Sequence, residues 1–170
     1  MKGHGALVIH HGDVLAPSGE FHSCDVLIQD GRIQEVGPSL EAEAAIDAAG
    51  GYVLPGLIDL HTHGIHTESA EKGDLREYAR IEASFGTTTF YPTFFGPPEE
   101  SVQQMQRHRR ETEELRLLPQ IGGFRLESPY LAQTGAGVSQ DLVSIGPETT
   151  GMLLAAAGGH IKIWDVSPWR

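Results

Sequence analysis

Leu54-Pro55-Gly56-Leu57-Ile58-Asp59-Leu60-His61-Thr62-His63-Gly64 is the stretch from which the rest of the chain is read. Pro55-Gly56 interrupts what precedes it, and the following residues, Leu57–His63, are strand-like. Alternate side chains of a strand point the same way, so His61 and His63 share a face with Asp59, while Ile58 and Leu60 face the other way, toward helices. Gly64 ends the strand and leaves both imidazoles at its C-terminal end. Neutral imidazole is a common ligand for zinc, iron and nickel. Two imidazoles one residue apart on a strand can converge on one ion. Taken alone, His-x-His is also compatible with two polar residues closing a strand against water.

Outward from that strand the chain alternates. Asp74–Phe85 is a helix, with Asp74 as N-cap, Gly86 as stop, and Leu75, Tyr78, Ile81 and Phe85 on one face at spacings of three and four. Thr87–Phe94 is rich in β-branched and aromatic residues and reads as a strand. Pro97-Pro98-Glu99-Glu100 opens a second helix, with acids against the positive end of its dipole. Ile121–Glu127 is the next strand, Pro147–Ala157 a third helix and Ile161–Val166 a last strand ended by Pro168. Strands alternating with helices imply a parallel sheet of right-handed crossovers, either an open doubly wound sheet or part of a barrel.

Before Pro55 the grammar is different. Ala6–Ile9, Phe21–Gln29, Ile33–Val36 and Tyr52–Leu54 read as short strands. Asp30-Gly31 between the second and third favours a tight type I′ hairpin. The expected division is a small β portion over residues 1–54 and an α/β portion over 55–170.

Composition excludes several functions. The 170 residues carry 12 basic and 23 acidic side chains, a formal net charge of -11, which repels phosphate backbones and argues against nucleic acid as a partner. The densest basic cluster, Arg107-His108-Arg109-Arg110, is followed by Glu111, Glu113 and Glu114 and reads as a solvated helix face with paired charges. One cysteine, Cys24, leaves no intramolecular disulfide framework. No run approaches the ~18 apolar residues of a membrane span, and the opening residues lack a signal-peptide core. A soluble, cytoplasmic protein is the expectation.

Pro-Gly-Leu-Ile-Asp-Leu-His-Thr-His resembles the signature of the amidohydrolase superfamily, metal-dependent (β/α)8 hydrolases in which the motif follows a strand of a small β-sandwich, as it follows Tyr52–Leu54 here. Three downstream segments are similar to the N-acetylglucosamine-6-phosphate deacetylases of that superfamily. Gly86-Thr87-Thr88-Thr89-Phe90-Tyr91-Pro92-Thr93 looks like their second barrel strand, Gly123-Phe124-Arg125-Leu126-Glu127-Ser128-Pro129-Tyr130-Leu131 like their third, and Ile161–Pro168 like their fourth. In the third, Glu127 matches a metal-binding glutamate. Parity also puts Gly123, Arg125 and Glu127 on one face, and a buried carboxylate must meet a metal, a cation such as Arg125, or water.

The resemblance implies a small N-terminal β-sandwich portion followed by the first half, about four βα units, of a TIM-type barrel, since a complete barrel needs ~250 residues. It implies a divalent metal, zinc first and Fe2+ or another ion as alternatives, held by His61, His63 and Glu127. Gly135 and Ala136 match a substrate loop. Further metal-binding histidines and the catalytic aspartate are expected in a C-terminal half, so no catalytic residue is assigned in this chain. The implied substrate is an amino-sugar phosphate, and the intact enzyme is expected to be a homodimer. Alone the chain should be inactive, needing the C-terminal half or a second chain to close the barrel. Ser128, Tyr130, Gly137 and Trp169 depart from the deacetylase pattern. His66, His108 and His160 fall in loop, helix and wrong-end positions. Two alternatives stay open: a dihydroorotase or hydantoinase type, which would use a carbamylated fourth-strand lysine where Lys162 lies near the far end, and a non-catalytic half-barrel.

Overall fold

The computed structural model describes residues 5–117, 120–127, 147, 148 and 151. The third helix is therefore seen only at residues 147, 148 and 151, which are helical. The expected fourth strand, with His160 and Lys162, lies outside the described residues, as do Gly135, Ala136, Ser128, Tyr130, Gly137 and Trp169. Two compact units divide at Pro55: Met1–Pro55 and Gly56–Arg170.

The first unit is a five-stranded sheet of β1 (Leu7–Leu15), β2 (Phe21–Gln29), β3 (Arg32–Gly37), β4 (Ala44–Asp47) and β5 (Tyr52–Val53). Its order is β3-β2-β1-β4, with β5 also pairing β1. Asp30 and Gly31 both take positive φ, 51° and 73°, the conformation a type I′ turn requires, and β2 returns antiparallel into β3. β4 was not anticipated. Ala44–Asp47 has no strand pattern of its own and is a strand because it lies parallel against Leu7–His10 of β1.

The second unit is built on parallel pairing. β6 (Leu57–Thr62) leads through a small hairpin, β7 (Gly64–Ile65) and β8 (Glu68–Ser69), into α1 (Leu75–Ser84). Then come β9 (Thr87–Phe94), α2 (Pro98–Glu114) and β10 (Arg125–Leu126). The sheet order is β10-β9-β6, all parallel, so α1 and α2 are the crossovers of two successive β-α-β units. The fold is thus mixed α/β, a β-sheet unit followed by a parallel βα segment.

Asp74 caps α1 by accepting from the Glu77 N–H at 2.9 Å, and Gly86, at φ 86°, follows its end. Leu75, Tyr78 and Ala79 of α1 bury with Phe90, Leu117 and Ile121, and the Tyr78 and Phe90 rings pack tilted at 4.8 Å. Each large side chain buried there contributes roughly 1.5–3 kcal/mol. Phe85, expected on the same face, is instead 61% exposed, because the helix ends at Ser84 and turns its cap residue outward.

Three further expectations change. Ile58 and Leu60 are 63% and 62% exposed, so no helix among the described residues covers them. The strand expected over Ile121–Glu127 pairs only at Arg125–Leu126 and through an isolated bridge from Ile121 to Phe90. The reason is Gly122-Gly123, where Gly123 adopts φ 154° and leaves the ladder. Arg107 and Arg109 do reach Glu111 and Glu113 at i,i+4, but His108 between them is 1% exposed, so α2 is not solvated all round. Among the described residues no helix is long and apolar enough to cross a membrane.

Candidate metal centre

β6 delivers its two imidazoles through an irregularity. Asp59 pairs with Phe90 and Thr62 with Pro92, so β6 carries one residue more than β9 over this span. Pro92 has no N–H to complete a ladder there, which favours a bulge at Leu60-His61. The bulge interrupts strict alternation, so Asp59 does not continue the face of His61 and His63 as parity suggested. Instead Asp59 accepts from the His61 backbone N–H at 2.9 Å, and its charge reaches Tyr78 and Glu82 of α1. The Leu60 carbonyl accepts from Arg125 Nη1 at 2.7 Å. Arg125 is thereby engaged with backbone, and Glu127 pairs with the two histidines.

Gly64 follows at once. A Cβ there would run into the Glu68 carbonyl and Ser69, so the close β7–β8 hairpin requires glycine. On the other side, parallel pairing of β10 with Thr93-Phe94 and the Glu127 N–H bond to the Phe94 carbonyl (2.8 Å) aim the Glu127 side chain at the end of β6.

The three side chains meet. His61 Nε2 lies 3.2 Å from His63 Nε2, and Glu127 Oε2 is 3.3 Å from His61 Nε2 and 2.7 Å from His63 Nε2. They are the one group of three or more potential metal ligands among the described residues. A circle through those three atoms has a radius of about 1.8 Å, just under Zn–N and Zn–O bonds of ~2.0–2.2 Å, so one ion can touch all three at once.

The hydrogen-bond accounting points the same way. His63 Nδ1 lies 2.9 Å from the Thr93 carbonyl oxygen, which can only accept, so Nδ1 carries the proton. In the neutral ring Nε2 is then a bare lone pair, and it faces a carboxylate oxygen at 2.7 Å. Two lone pairs do not attract. A cation touching both, or a proton on either the ring or the carboxyl, is required. Metal-bound histidines commonly give their other N–H to a backbone carbonyl in this way, fixing the tautomer. The donor set of two imidazoles and a carboxylate suits zinc and other borderline divalent ions. The residues fit the group.

A dihydroorotase from Bacillus cytotoxicus is 30% identical over 169 residues, spanning 90% of this chain and 39% of its own length. An N-acetyl-D-glucosamine-6-phosphate deacetylase structure from Mycobacterium smegmatis superposes over 92% of this chain and 45% of that one, with TM-score 0.68 and 24% identity. The N-acetylglucosamine-6-phosphate deacetylase structure from Pasteurella multocida covers 89% of this chain and 42% of that one, with TM-score 0.74 and 22% identity. The chain belongs to the amidohydrolase superfamily. No family model matches it. The chain spans about two fifths of the length of these relatives and matches the N-terminal portion of the structures. Sequence and fold thus lean toward different members: the sequence relative is a dihydroorotase and the structural ones are deacetylases, the latter likeness being one of fold.

Of the residues singled out in the sequence, His61, His63 and Glu127 come together. His66 sits at φ 54° in the turn between β7 and β8, with its ring 5.8 Å from Phe85, and takes no part. Two neighbours of this site were missed, and a third was given another role. The Thr93 carbonyl carries no sequence signal. Phe95, whose ring meets His63 edge-on at 5.0 Å, lies one residue past the expected strand and had no reading there. Arg125 was seen, but as a partner for Glu127.

Proposed function

We propose that this chain is the N-terminal part of a metal-dependent deacetylase that removes the N-acetyl group of an amino-sugar phosphate, and that β6, β9 and β10 are the first three strands of its (β/α)8 barrel. The observation that carries the metal reading is the bare Nε2 of His63 facing the Glu127 carboxylate at 2.7 Å. His61, His63 and Glu127 would hold the ion, with zinc the expected occupant. When bound, a divalent ion lowers the pKa of water and polarises an amide carbonyl. The chain's own residues supply orientation. The Thr93 carbonyl keeps the His63 proton on Nδ1, the His61 backbone is held by Asp59, and Arg125 secures the bulged Leu60 carbonyl. An aspartate to carry the proton from water to the leaving amine is expected from the part of the barrel beyond this chain. Three ligands with no such aspartate support weak metal binding and no turnover by the chain alone.

The deacetylase reading over other amidohydrolases is supported by a third-strand glutamate placed on the histidine pair. A dihydroorotase-type reading is favoured by one observation, the 30% identity to the Bacillus cytotoxicus enzyme. Incubation of the chain, alone and with a polypeptide supplying the remaining strands, separates them. Acetate release from N-acetylglucosamine 6-phosphate only in the complemented sample is expected. Hydrolysis of dihydroorotate without acetate release would replace the first reading by the second, and acetate release from the chain alone would overturn the need for a second half.

A further inference from the structure

α2 carries a histidine that the metal site does not use directly. His108 is 1% exposed and packs against the rings of Phe94 and Phe124, with centroids at 6.0 and 6.2 Å. Its Nδ1 lies 2.9 Å from Glu111 Oε2, and its Nε2 lies 2.9 Å from the carbonyl oxygen of Ala70. A carbonyl can only accept, so Nε2 donates. The Nδ1 edge of the ring is turned to the carboxylate of Glu111 on the same helix.

Ala70 links this histidine to the site. It is fully buried in the loop after β8, and its N–H donates to the His63 carbonyl at 2.9 Å. The next residue fastens the same loop a second time. Glu71 Oε1 accepts from the Phe95 N–H at 3.0 Å, and Phe95 is the ring set edge-on to His63. The backbone that presents His63 is therefore tied through Ala70 to α2 and through Glu71 to the end of β9.

We propose that His108 is a positioning residue for the metal centre: its Nε2–H holds Ala70, Ala70 holds the His63 backbone, and the chain of contacts sets the His63 ring at ion-binding distance. This rests on the metal reading above. Outer partners of metal-ligating histidines commonly change affinity by 10–100-fold when lost.

The His108→Asn and His108→Gln variants test it, because each keeps one arm of the imidazole. Asparagine keeps a donor near Glu111 and falls short of Ala70, whereas glutamine reaches toward Ala70 and gives up Glu111. Thr112→Val is the stability control. The Thr112 hydroxyl donates to the His108 backbone carbonyl at 2.7 Å inside α2, so its loss leaves the imidazole and its bond to Ala70 in place. Two quantities are read on the 170-residue chain: Zn2+ affinity by competition with a chromophoric chelator, and hydrogen exchange of the Ala70 amide without metal. The expected result for His108→Asn is about tenfold weaker Zn2+ binding and faster Ala70 exchange. His108→Gln and Thr112→Val should stay within about threefold of the parent in affinity, the second despite a lower melting midpoint. Equal Zn2+ affinity and equal Ala70 exchange in the Asn and Gln variants would overturn the proposal, as would a loss in Thr112→Val matching that in His108→Asn. The amide exchange keeps the two readings apart. If the parent binds no Zn2+, the metal reading fails; if Ala70 exchange is the same in every variant, the positioning role fails.

Discussion

The two sides of the strand that ends in His61-Thr62-His63 solve opposite problems with polar side chains. On one side His61 and His63, both part-exposed, meet Glu127 and leave a lone pair facing a carboxylate. On the other, Thr62 is buried with Tyr78, Glu82 and Thr87. There the hydroxyls close on one another. Tyr78 and Thr62 are 2.8 Å apart, and Thr62 reaches Glu82 Oε1 at 3.4 Å. Burial raises the Tyr78 hydroxyl and the Glu82 carboxyl above their ordinary pKa values, so both favour the neutral form. The helix-facing side is self-satisfied, and the imidazole side wants a cation. That asymmetry, rather than the count of histidines, separates a ligand cluster from polar packing.

The sharpest way to break the comparison is His63→Ala. Zn2+ affinity should fall by more than about 100-fold, beyond what an outer partner costs. The metal-free melting midpoint should hardly move, since a part-exposed ring contributes within ~1 kcal/mol. A large loss of stability with unchanged Zn2+ binding would make His63 a packing residue after all. Glu127→Gln sharpens the same point. The amide can turn an N–H toward the His63 lone pair, so the metal-free chain should be as stable as the parent or slightly more so, while Zn2+ binding weakens about tenfold or more. A marked drop in metal-free stability would mean that Glu127 pairs with a doubly protonated His63 and needs no ion.

Thr62→Val tests the other side. It keeps the shape and deletes the hydroxyl through which Tyr78 and Glu82 are connected. The cost should be about 1–2 kcal/mol, from leaving two buried polar groups short of a partner. Chemical denaturation reads it, and Zn2+ affinity should stay within about threefold. If Zn2+ affinity collapsed as well, the two sides of the strand would not be independent.

These contrasts also mark what could be read in advance. His61 and His63 were legible because the motif that flanks them resembles the amidohydrolase signature, their one-residue spacing alone being compatible with polar residues closing a strand, and Glu127 because it matches that family's metal-binding glutamate and a carboxylate at a strand's C-terminal end needs a partner. The α1 cap at Asp74, the Asp30-Gly31 turn and the span Thr87–Phe94 were legible for similarly local reasons. What failed depended on distant parts of the chain. β4 is a strand by virtue of β1, and the β6 bulge answers Pro92 across the sheet. His108 looked solvated among arginines and glutamates, yet the carbonyl that draws it inward belongs to Ala70, 38 residues away. Ile58 and Leu60 had the right pattern for covered positions, and among the described residues nothing covers them.

Glu82→Gln should produce the smallest effect, and its pH dependence is the informative part. Glu82 is 3% exposed on α1, and its carboxyl is raised first by burial and then by the charge of Asp59, with the Thr87 and Thr62 hydroxyls opposing. A carboxyl whose folded pKa lies above its unfolded value of ~4.3 binds its proton more tightly in the folded state. Its contribution is fully present below the unfolded value and is lost as pH rises through the raised folded one. Glutamine has no proton to lose. The variant should therefore match the parent or fall slightly below it in acid, and exceed it above the raised pKa, where the parent must keep a buried anion. Melting midpoints at a series of pH values give the crossover directly. A parent that gained stability relative to the variant as pH rose would mean that the Glu82 anion is welcomed by a partner, and the helix-facing side of β6 would then resemble the imidazole side more closely than its hydrogen bonds imply.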